Sequence, residues 1–469
     1  MRLSGMTDKT RWAGVLLLGG ALSSGAISAF GANHPLDHWQ SRNTGANNRI
    51  TALAYDSEAG RYIAVDEVFP NINSQSAEPS ALLASTDGIN WVRQVTGSNQ
   101  LQTSAIAIRA GQYFSAKYST YSDPIGYLMM SSNGSDWTGD PNSNIHVKSA
   151  EVVDGKVVLS GVVRSADPFL CLDWLGNPCV QDPGTLAIWI SGQDGVALSV
   201  SPSGYYPNDM LYVVDADAAR GNGTWVYLAW VYWANPFPTL PSLPPGPEPM
   251  RLLSWSSRDG VNFLPGLDLQ SSPVYRNSSP PGSFPEATPG TSVVFGEGQF
   301  VAVNGMDRAL TSYDGIAWQS HLIPVESGLQ DIAYGAGQYV AVGTGGAILT
   351  SSDGVQWTQR AAGEFAGTIF RDVEYGNYSF VATGFDSTGG NVVIQSGTII
   401  NLQLAMSPGP TLILNGPVQS RVRIETTSDP NDSTSWAAVE TVTMETDPYR
   451  WVDPQPSDAL SRFFRAVLE

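Results

Sequence analysis

Short apolar runs separated by turns rich in Gly, Asn and Asp fill most of the chain. The pattern is clearest in residues 294–318 (VFGEGQFVAVNGMDRALTSYDGIAW) and 333–357 (AYGAGQYVAVGTGGAILTSSDGVQW), which align without a gap. In each segment an apolar strand, a Gly turn and a second apolar strand precede a third strand that runs into Ser-x-Asp-Gly-x-x-Trp. The repetition predicts one β-supersecondary unit that is used several times.

Degenerate copies of both parts of the unit occur elsewhere. Further copies of the turn lie at 85–91, 131–137, 191–195 and 256–263. Further copies of the opening strand begin at Thr51, Ser104, Lys148 and Arg371. The seventh unit lacks its last aromatic strand, and LDHWQSR, around Trp39, offers such a strand near the start of the chain. Because closure removes exposed sheet edges, we predict an all-β fold with a seven-bladed β-propeller over residues 33–402, closed by this N-terminal strand.

The Asp/Asn-Gly turns receive a structural role in this interpretation. Gly adopts positive φ, and the preceding side chain accepts backbone N–H bonds within the turn. The aromatic residue that follows begins the outer strand and packs between blades. The turn residues with this role are Asp87, Asn133, Asp259, Asp314 and Asp353.

These units resemble the Asp-box (BNR-like) repeats of exported bacterial propellers, and the resemblance covers most of residues 39–397. In that family the hairpins lie on the blade periphery, away from the axial site, which favours the structural role over a calcium or catalytic one. Sialidases share this propeller, so the resemblance also implies three converging arginines, a Tyr–Glu pair and an acid/base Asp. The chain departs from that pattern. Arg49-Ile50-Thr51 is the nearest match to the family's Phe-Arg-Ile-Pro motif, and only Lys148 and Arg371 are cationic among the aligned inner-strand starts.

The tail predicts a second, smaller domain. Residues 403–469 contain short alternating strands separated by Pro, Asn and Asp turns, which is the pattern of a small β-sandwich. The tail resembles the Ig/fibronectin-like modules that end many exported bacterial proteins, and attachment or spacing is the role we expect for it.

The first 32 residues have the three parts of a secretory signal peptide. A basic start is followed by the apolar run 12–22 and a stretch of small residues, with cleavage expected after Ala29 or Ala32. An uncleaved membrane anchor is the alternative, although the run is short for a bilayer core of about 30 Å. We expect an exported protein (extracellular, cell-surface or periplasmic) with no transmembrane segment after cleavage.

Charge and cysteine usage narrow the possible partners. The formal net charge is −19, from 24 basic and 43 acidic residues, which argues against binding to nucleic acid. In an oxidising compartment, Cys171 and Cys179 are expected to form a disulfide. The four histidines are scattered, so we expect no metal site and no cofactor. We also expect the protein to be a monomer.

Long insertions interrupt several of the predicted blades. They lie at 70–81, 165–184, 235–250 and 271–290. Loops of this size on a rigid scaffold either carry function or decorate it.

The candidate site lies where the inner strands begin. Asp331 and Asp372 start neighbouring inner strands and are the candidate catalytic pair, because glycoside hydrolysis needs two carboxylates about 5–10 Å apart. With Lys148 and Arg371 they form the predicted ligand site. We predict a non-enzymatic exported propeller that binds a carbohydrate or protein ligand. The alternatives are a glycoside hydrolase acting on an extracellular polysaccharide and a structural spacer.

Overall fold

A computed structural model provides the coordinates of the chain. It describes residues 11–18, 34–67, 80–96, 103, 105–117, 127–140, 145–164, 169–172, 178–181, 184–191, 196–197, 210–234, 249–269, 274–275, 290–324, 328–361, 363–405, 411–429, 434–454 and 462–469. The four predicted insertions and most of the predicted leader therefore lie largely outside the described residues, as does the turn at 191–195 apart from Ser191.

Seven sheets of antiparallel strands follow one another along the chain. The first sheet contains Arg49–Asp56, Arg61–Glu67, Ala81–Ser85 and Val92–Val95. The second contains Ile106–Arg109, Gln112–Lys117, Tyr127–Ser131 and Thr138–Asp140. The third contains Ile145–Val153, Lys156–Arg164, Gly184–Ile190 and Val196–Ala197. The fourth contains Met210–Gly221, Thr224–Ala234, Pro249–Ser257 and Leu264–Asp268, with Val274–Tyr275 beside its third strand.

The last three sheets repeat this order. The fifth contains Ser292–Gly296, Gln299–Val303, Arg308–Ser312 and Gln319–Leu322. The sixth contains Leu329–Gly335, Gln338–Gly343, Ile348–Ser351 and Thr358–Gln359. The seventh contains Ile369–Gly376, Ser379–Phe385 and Asn391–Ser396, and its fourth strand is Trp39–Ser41 from the N-terminal end. The 3₁₀ turns Pro35–Asp37 and Thr344–Gly346 complete this part of the chain.

The first strands of the seven sheets form a closed ring. Each contacts the first strand of the next sheet, and the seventh contacts the first. The all-β propeller expected from the sequence is thereby confirmed. The aromatic run of the fourth sheet belongs to its core, since Trp225, Tyr227 and Trp230 are all buried.

Tyrosine hydroxyls join neighbouring sheets at several interfaces. Tyr62 of the first sheet donates to the carbonyl of Ser379 in the seventh at 2.8 Å. Tyr339 of the sixth sheet donates to the carbonyl of Gly296 in the fifth at 2.5 Å. Each bond satisfies a backbone acceptor that the packing of two sheets would otherwise bury without a partner.

The five Ser-x-Asp-Gly turns share one hydrogen-bonding scheme. In each turn the Oδ1 atom of the Asp or Asn accepts backbone N–H groups two and three residues later, at 2.8–2.9 Å. The Ser hydroxyl lies 2.8–3.2 Å from the same oxygen. These oxygens belong to Asp87, Asn133, Asp259, Asp314 and Asp353. Backbone N–H groups of the turn therefore already bind the Oδ1 atom that a ligand would need.

The glycine of each turn packs against the preceding sheet. At Gly315, φ is +73° and an added Cβ would lie 2.4 Å from Cγ2 of Val226 in the fourth sheet. The turn is consequently part of the contact between two sheets as well as a connection within one.

The C-terminal module consists of two sheets that share one apolar cluster, which includes Leu414, Ile424, Trp451 and Phe464. One sheet contains Asn401–Ala405, Thr411–Asn415 and Tyr449–Val452. The other contains Arg421–Thr427, Ala437–Thr443, Arg462–Leu468 and Arg11–Leu18.

The strand Arg11–Leu18 falls within the predicted leader and pairs with the last strand of the chain. Removal of the leader on export would leave this edge of the sheet open, and the leader itself stays a prediction. Within the described ranges, no helix combines the length and apolar character needed to cross a bilayer.

The two cysteines face each other in a short hairpin. The strands Phe169–Leu172 and Pro178–Gln181 pair so that Cys171 and Cys179 are direct backbone partners. Their side chains lie outside the described residues, so the disulfide stays a prediction.

Two glycine substitutions should separate backbone strain from packing in the turns. Gly315→Ala should lower the free energy of unfolding by about 2–4 kcal/mol, because positive φ and the contact with Val226 both oppose a methyl group. Gly298→Ala is the matched control: φ is +78°, nothing lies within 4 Å, and about 1–2 kcal/mol is expected. Urea unfolding measures both, and equal losses would show that the close contact is unimportant.

Loss of the N-terminal strand's aromatic side chain should weaken ring closure. Trp39 is 3% exposed and donates from Nε1 to the carbonyl of Leu36 at 2.9 Å. Trp39→Ala should cost about 3–5 kcal/mol in chemical denaturation, as expected for a large buried side chain. Tyr313→Ala, at a side chain 71% exposed, should change stability by less than about 0.5 kcal/mol. A Trp39→Ala loss no larger than that control would contradict a closing role for the strand.

Candidate functional site

A β-bulge recurs near the start of five first strands. In each, the register shifts by one residue. The extra residues are Thr51, Lys148, Val214, Gln330 and Arg371. A bulge turns a side chain away from the regular pleat, and such devices recur next to functional sites. We call the end of the ring that carries these residues the axial mouth. In the fourth sheet the extra residue is Val214, and Asp215 follows it.

Cations and one aromatic ring meet at the axial mouth. Arg371 is exposed, and its Nη1 donates to Oε1 of Gln330 at 3.0 Å. Its guanidinium lies 5.6 Å from the centre of the Phe385 ring, and the guanidinium of Arg49 lies 3.8 Å from the same centre. Part of the Arg371 side chain reaches solvent, while the part that packs inside the mouth is shielded from water; this shielding and the charge of Arg49 both lower the pKa of Arg371. Within the described part of the chain Arg371 forms no ion pair, so it is the clearest candidate for contacting a ligand.

The two predicted catalytic carboxylates do come together, and both bind the backbone of a neighbouring sheet. Oδ2 of Asp331 accepts the N–H of Val373 at 2.7 Å, across from the sixth sheet to the seventh. Oδ2 of Asp372 accepts the N–H of Leu53 at 2.7 Å, across from the seventh sheet to the first. Asp331 and Asp372 also share a side-chain hydrogen bond.

The fourth sheet repeats this arrangement. Oδ2 of Asp215 accepts the N–H of Thr291 at 2.8 Å, and Oδ2 of Asp217 accepts the N–H of Val293 at 2.9 Å. Both bonds cross to the fifth sheet. Asp217 also contacts Glu151 of the third sheet through a side-chain hydrogen bond.

Six acidic side chains thus surround the ring axis. They are Glu151, Asp215, Asp217, Asp331, Asp372 and Glu374. Burial is the largest cause of a raised pKa in every one of them. It raises the pKa of Asp215 and that of Asp372 to about 6. Repulsion within the pairs adds to the effect at Glu151 and Asp331. Burial and mutual repulsion therefore shift the titration of these carboxyl groups to higher pH than that of free carboxylates.

The contact between Asp331 and Asp372 bears directly on catalysis. Glycosidases place a sugar, or a sugar and a water, between carboxyl groups about 5–9 Å apart. Two carboxyl groups that are hydrogen-bonded to each other leave no such space. Their remaining oxygens already accept backbone N–H groups, including that of Ile332 on Asp331 at 2.8 Å. The pair is therefore built for joining sheets.

Lys148 lies close enough to Asp215 to lower its pKa, which places this predicted ligand residue beside the carboxyl groups. Sequence reasoning missed Glu151, Asp215, Asp217 and Glu374, and it did not identify Arg49 as a cation of the mouth. Alternating acidic residues in a buried strand, as in Asp-Ala-Asp (215–217) and Asp-Val-Glu (372–374), were an available signal because they place both side chains on one face. Among the described residues, no group of His, Cys, Asp or Glu is arranged to hold a metal ion.

No family model and no curated protein matches the chain. Among solved structures, it is similar to YCF48 from Cyanidioschyzon merolae, with 12% identity over 76% of this chain and 98% of that one, and a TM-score of 0.45. It is similar to Penicillium chrysogenum α-L-arabinanase complexed with arabinobiose, with 13% identity over 76% and 96% of the two chains and a TM-score of 0.41. It is also similar to Trypanosoma rangeli sialidase in complex with the inhibitor DANA, with 10% identity over 90% and 91% and a TM-score of 0.36.

The axial carboxyl groups should make stability depend on pH. The pKa of Asp215 is about 6 in the folded state against 3.8 in the unfolded chain, so between these values the folded state holds the extra proton. The free energy of unfolding should therefore fall as pH rises from about 4 to 6, by up to about 3 kcal/mol from this group.

The Asp215→Asn variant tests this origin. The amide oxygen can still accept the N–H of Thr291, but the group no longer titrates, so urea midpoints measured across pH 4–6 should fall less steeply than in the wild type. Glu58→Gln, at an exposed turn, should leave the wild-type slope unchanged. A wild-type slope in Asp215→Asn would rule out Asp215 as the source.

Proposed function

We propose that the protein is an exported, non-catalytic propeller that binds a ligand at the axial mouth. The ligand class that we favour is carbohydrate, and a protein ligand is the other outcome that the test distinguishes. Arg371, Lys148 and Arg49 would supply hydrogen-bond donors and positive charge, and the ring of Phe385 would supply an apolar surface.

One observation carries this proposal. Arg371 is exposed at the mouth, it sits on a bulge, and its described hydrogen bond goes to the neutral amide of Gln330. A guanidinium with remaining donors is suited to the oxygen atoms of a polar ligand. The carboxyl groups below it, by contrast, have backbone partners that hold the ring together. Binding at the mouth is therefore better supported than catalysis along the axis.

Export and the C-terminal module belong to the same proposal. The basic and apolar segments of residues 1–32 support secretion, and the Ser-x-Asp-Gly units are like those of exported bacterial propellers. In this scheme the propeller recognises the ligand outside the cytoplasm or at the cell surface. The C-terminal module serves as an attachment or spacing element.

A glycoside hydrolase is the second candidate, and one observation favours it. Burial raises the pKa of Asp331 and of Glu374 well above that of an ordinary carboxyl group, which is the property required of a general acid. The direct contact between Asp331 and Asp372 weighs against this alternative.

A glycan array probed with residues 33–469, with and without EDTA, tests the proposal. A saturable hit on one sugar class is expected, and the affinity for that sugar should fall at least about tenfold in Arg371→Gln, because a hydrogen bond to a charged donor is lost. Arg109→Gln is the matched control, since Arg109 is also exposed but lies where its first strand ends, at the opposite end of the ring.

Three results would contradict the carbohydrate proposal. Equal affinities of wild type and Arg371→Gln would remove the mouth as the site. Slow cleavage of the bound sugar that is abolished by Asp372→Asn would favour the hydrolase. A blank array would exclude the sugars tested and favour a protein ligand.

A further inference from the structure

One tyrosine adopts a backbone conformation that glycine adopts in the other sheets. The first and second strands of six sheets are joined by a two-residue turn in which both residues have positive φ. In five of these turns the second residue is glycine, with φ between +65° and +78°: Gly111, Gly155, Gly223, Gly298 and Gly337. In the seventh sheet the second residue is Tyr378, with φ +62°. A bulky side chain is rarely found in this region, and it persists only where surrounding contacts hold it.

The contacts of Tyr378 lead out of the ring and into the C-terminal module. Its hydroxyl donates to Oδ2 of Asp447, in the turn that precedes the module strand Tyr449–Val452. Oδ1 of the same Asp447 accepts the N–H of Gly416 at 3.2 Å. One carboxylate thus connects the seventh sheet with two turns of the module.

The connecting segment is fixed at the same place. The carbonyl of Tyr378 accepts the N–H of Ile399 at 2.7 Å. Ile399 packs in the apolar cluster of the ring, and the next residue, Ile400, packs in the cluster of the module. Both side chains are buried, at 6% and 1% exposure. Two consecutive residues in two different cores place the start of the module beside the turn that holds Tyr378.

We infer that Tyr378 is a pin that fixes the C-terminal module against the seventh sheet, at the end of the ring opposite the axial mouth. The strand Ile369–Gly376 carries Arg371 near its start and ends at the turn that holds Tyr378. At about 3.3 Å per residue, the two ends are roughly 20 Å apart. A module held there leaves the mouth uncovered, and a surface or partner that binds the module would find the mouth directed away from it. This inference does not depend on which ligand the mouth binds.

Substitutions at Tyr378 in the full chain separate the strain from the contact. Tyr378→Phe keeps the strained turn and removes the hydroxyl, so the module should unfold in a separate, earlier calorimetric transition. The amide of Ile399 should then exchange about tenfold faster. Tyr378→Gly removes both the hydroxyl and the backbone strain of the turn, so it should also release the module. Because the strain is gone, the ring should unfold at a higher temperature than in Tyr378→Phe. The wild type should show one transition.

The sixth sheet offers the reciprocal control. Gly337→Tyr places a tyrosine at the corresponding position of the Ala336–Gly337 turn, where φ is +74°. It should lower the temperature of the single transition without separating the module. Small-angle scattering gives an independent readout, since release of the module should broaden the distance distribution of the Tyr378 variants and leave that of Gly337→Tyr unchanged.

The inference is overturned if the wild type already unfolds in two transitions. It is also overturned if Tyr378→Phe and Tyr378→Gly both keep one transition and wild-type exchange at Ile399. Should either variant fail to fold, Asp447→Ala removes the acceptor from the module side. A separate module transition in that variant would support the pin, and an unchanged single transition would overturn it.

Discussion

Each sheet of the ring packs both of its faces against neighbouring sheets, so the whole fold depends on satisfying the polar backbone groups trapped between them. An unpaired buried N–H or C=O group costs about as much as a lost hydrogen bond. Tyr62 and Tyr339 meet this demand with hydroxyl groups, and Asp331 and Asp372 meet it with carboxylates. Closure of the ring creates the same need for backbone partners between the seventh and first sheets. There Asp372 accepts the N–H of Leu53, which is 319 residues away in the sequence.

This constraint explains why the axis is acidic. A carboxylate accepts several hydrogen bonds at once, so it is an efficient partner for N–H groups of the next sheet. Placing several of them on one axis raises their pKa values, because each is buried and some repel one another. Asp331 and Asp372 lie close enough to share a side-chain hydrogen bond. Perturbed pKa values mark functional sites in many proteins, but structural networks produce them too.

The bulges place a separate set of residues at the axial mouth. The residue after each bulge continues the regular strand, and at Asp331 and Asp372 it reaches the next sheet. The extra residue lies at the mouth, where the hydroxyl of Thr51 donates to the carbonyl of Thr103 and Arg371 donates to Gln330. Because the ring fixes the backbone on either side, the spacing of the mouth residues is set by the scaffold.

Local features of the chain were readable from sequence. Apolar runs, turn residues and the aligned repeats at 294–318 and 333–357 depend on neighbours within a few residues, and they predicted an all-β propeller. The same alignment placed Lys148 and Arg371 at inner-strand starts, because aligned repeats show which residues occupy equivalent positions in each sheet. Asp331 and Asp372 were singled out for the same reason, and the structure brings them together.

The tertiary structure decided what those residues contact. The convergence of Glu151, Asp217 and Glu374 depends on strands far apart in the chain meeting at one axis. No local pattern encodes the contact between two such carboxyl groups. The position of Tyr378 is similar: the sequence shows a tyrosine in a turn, while its positive φ and its bond to Asp447 exist only when ring and module meet. Sequence by itself determined the elements and their repetition, because short-range sterics and hydrogen bonding fix them. Only the closed structure decided which buried polar groups form hydrogen bonds with one another, because these groups become buried and meet across the chain only on folding.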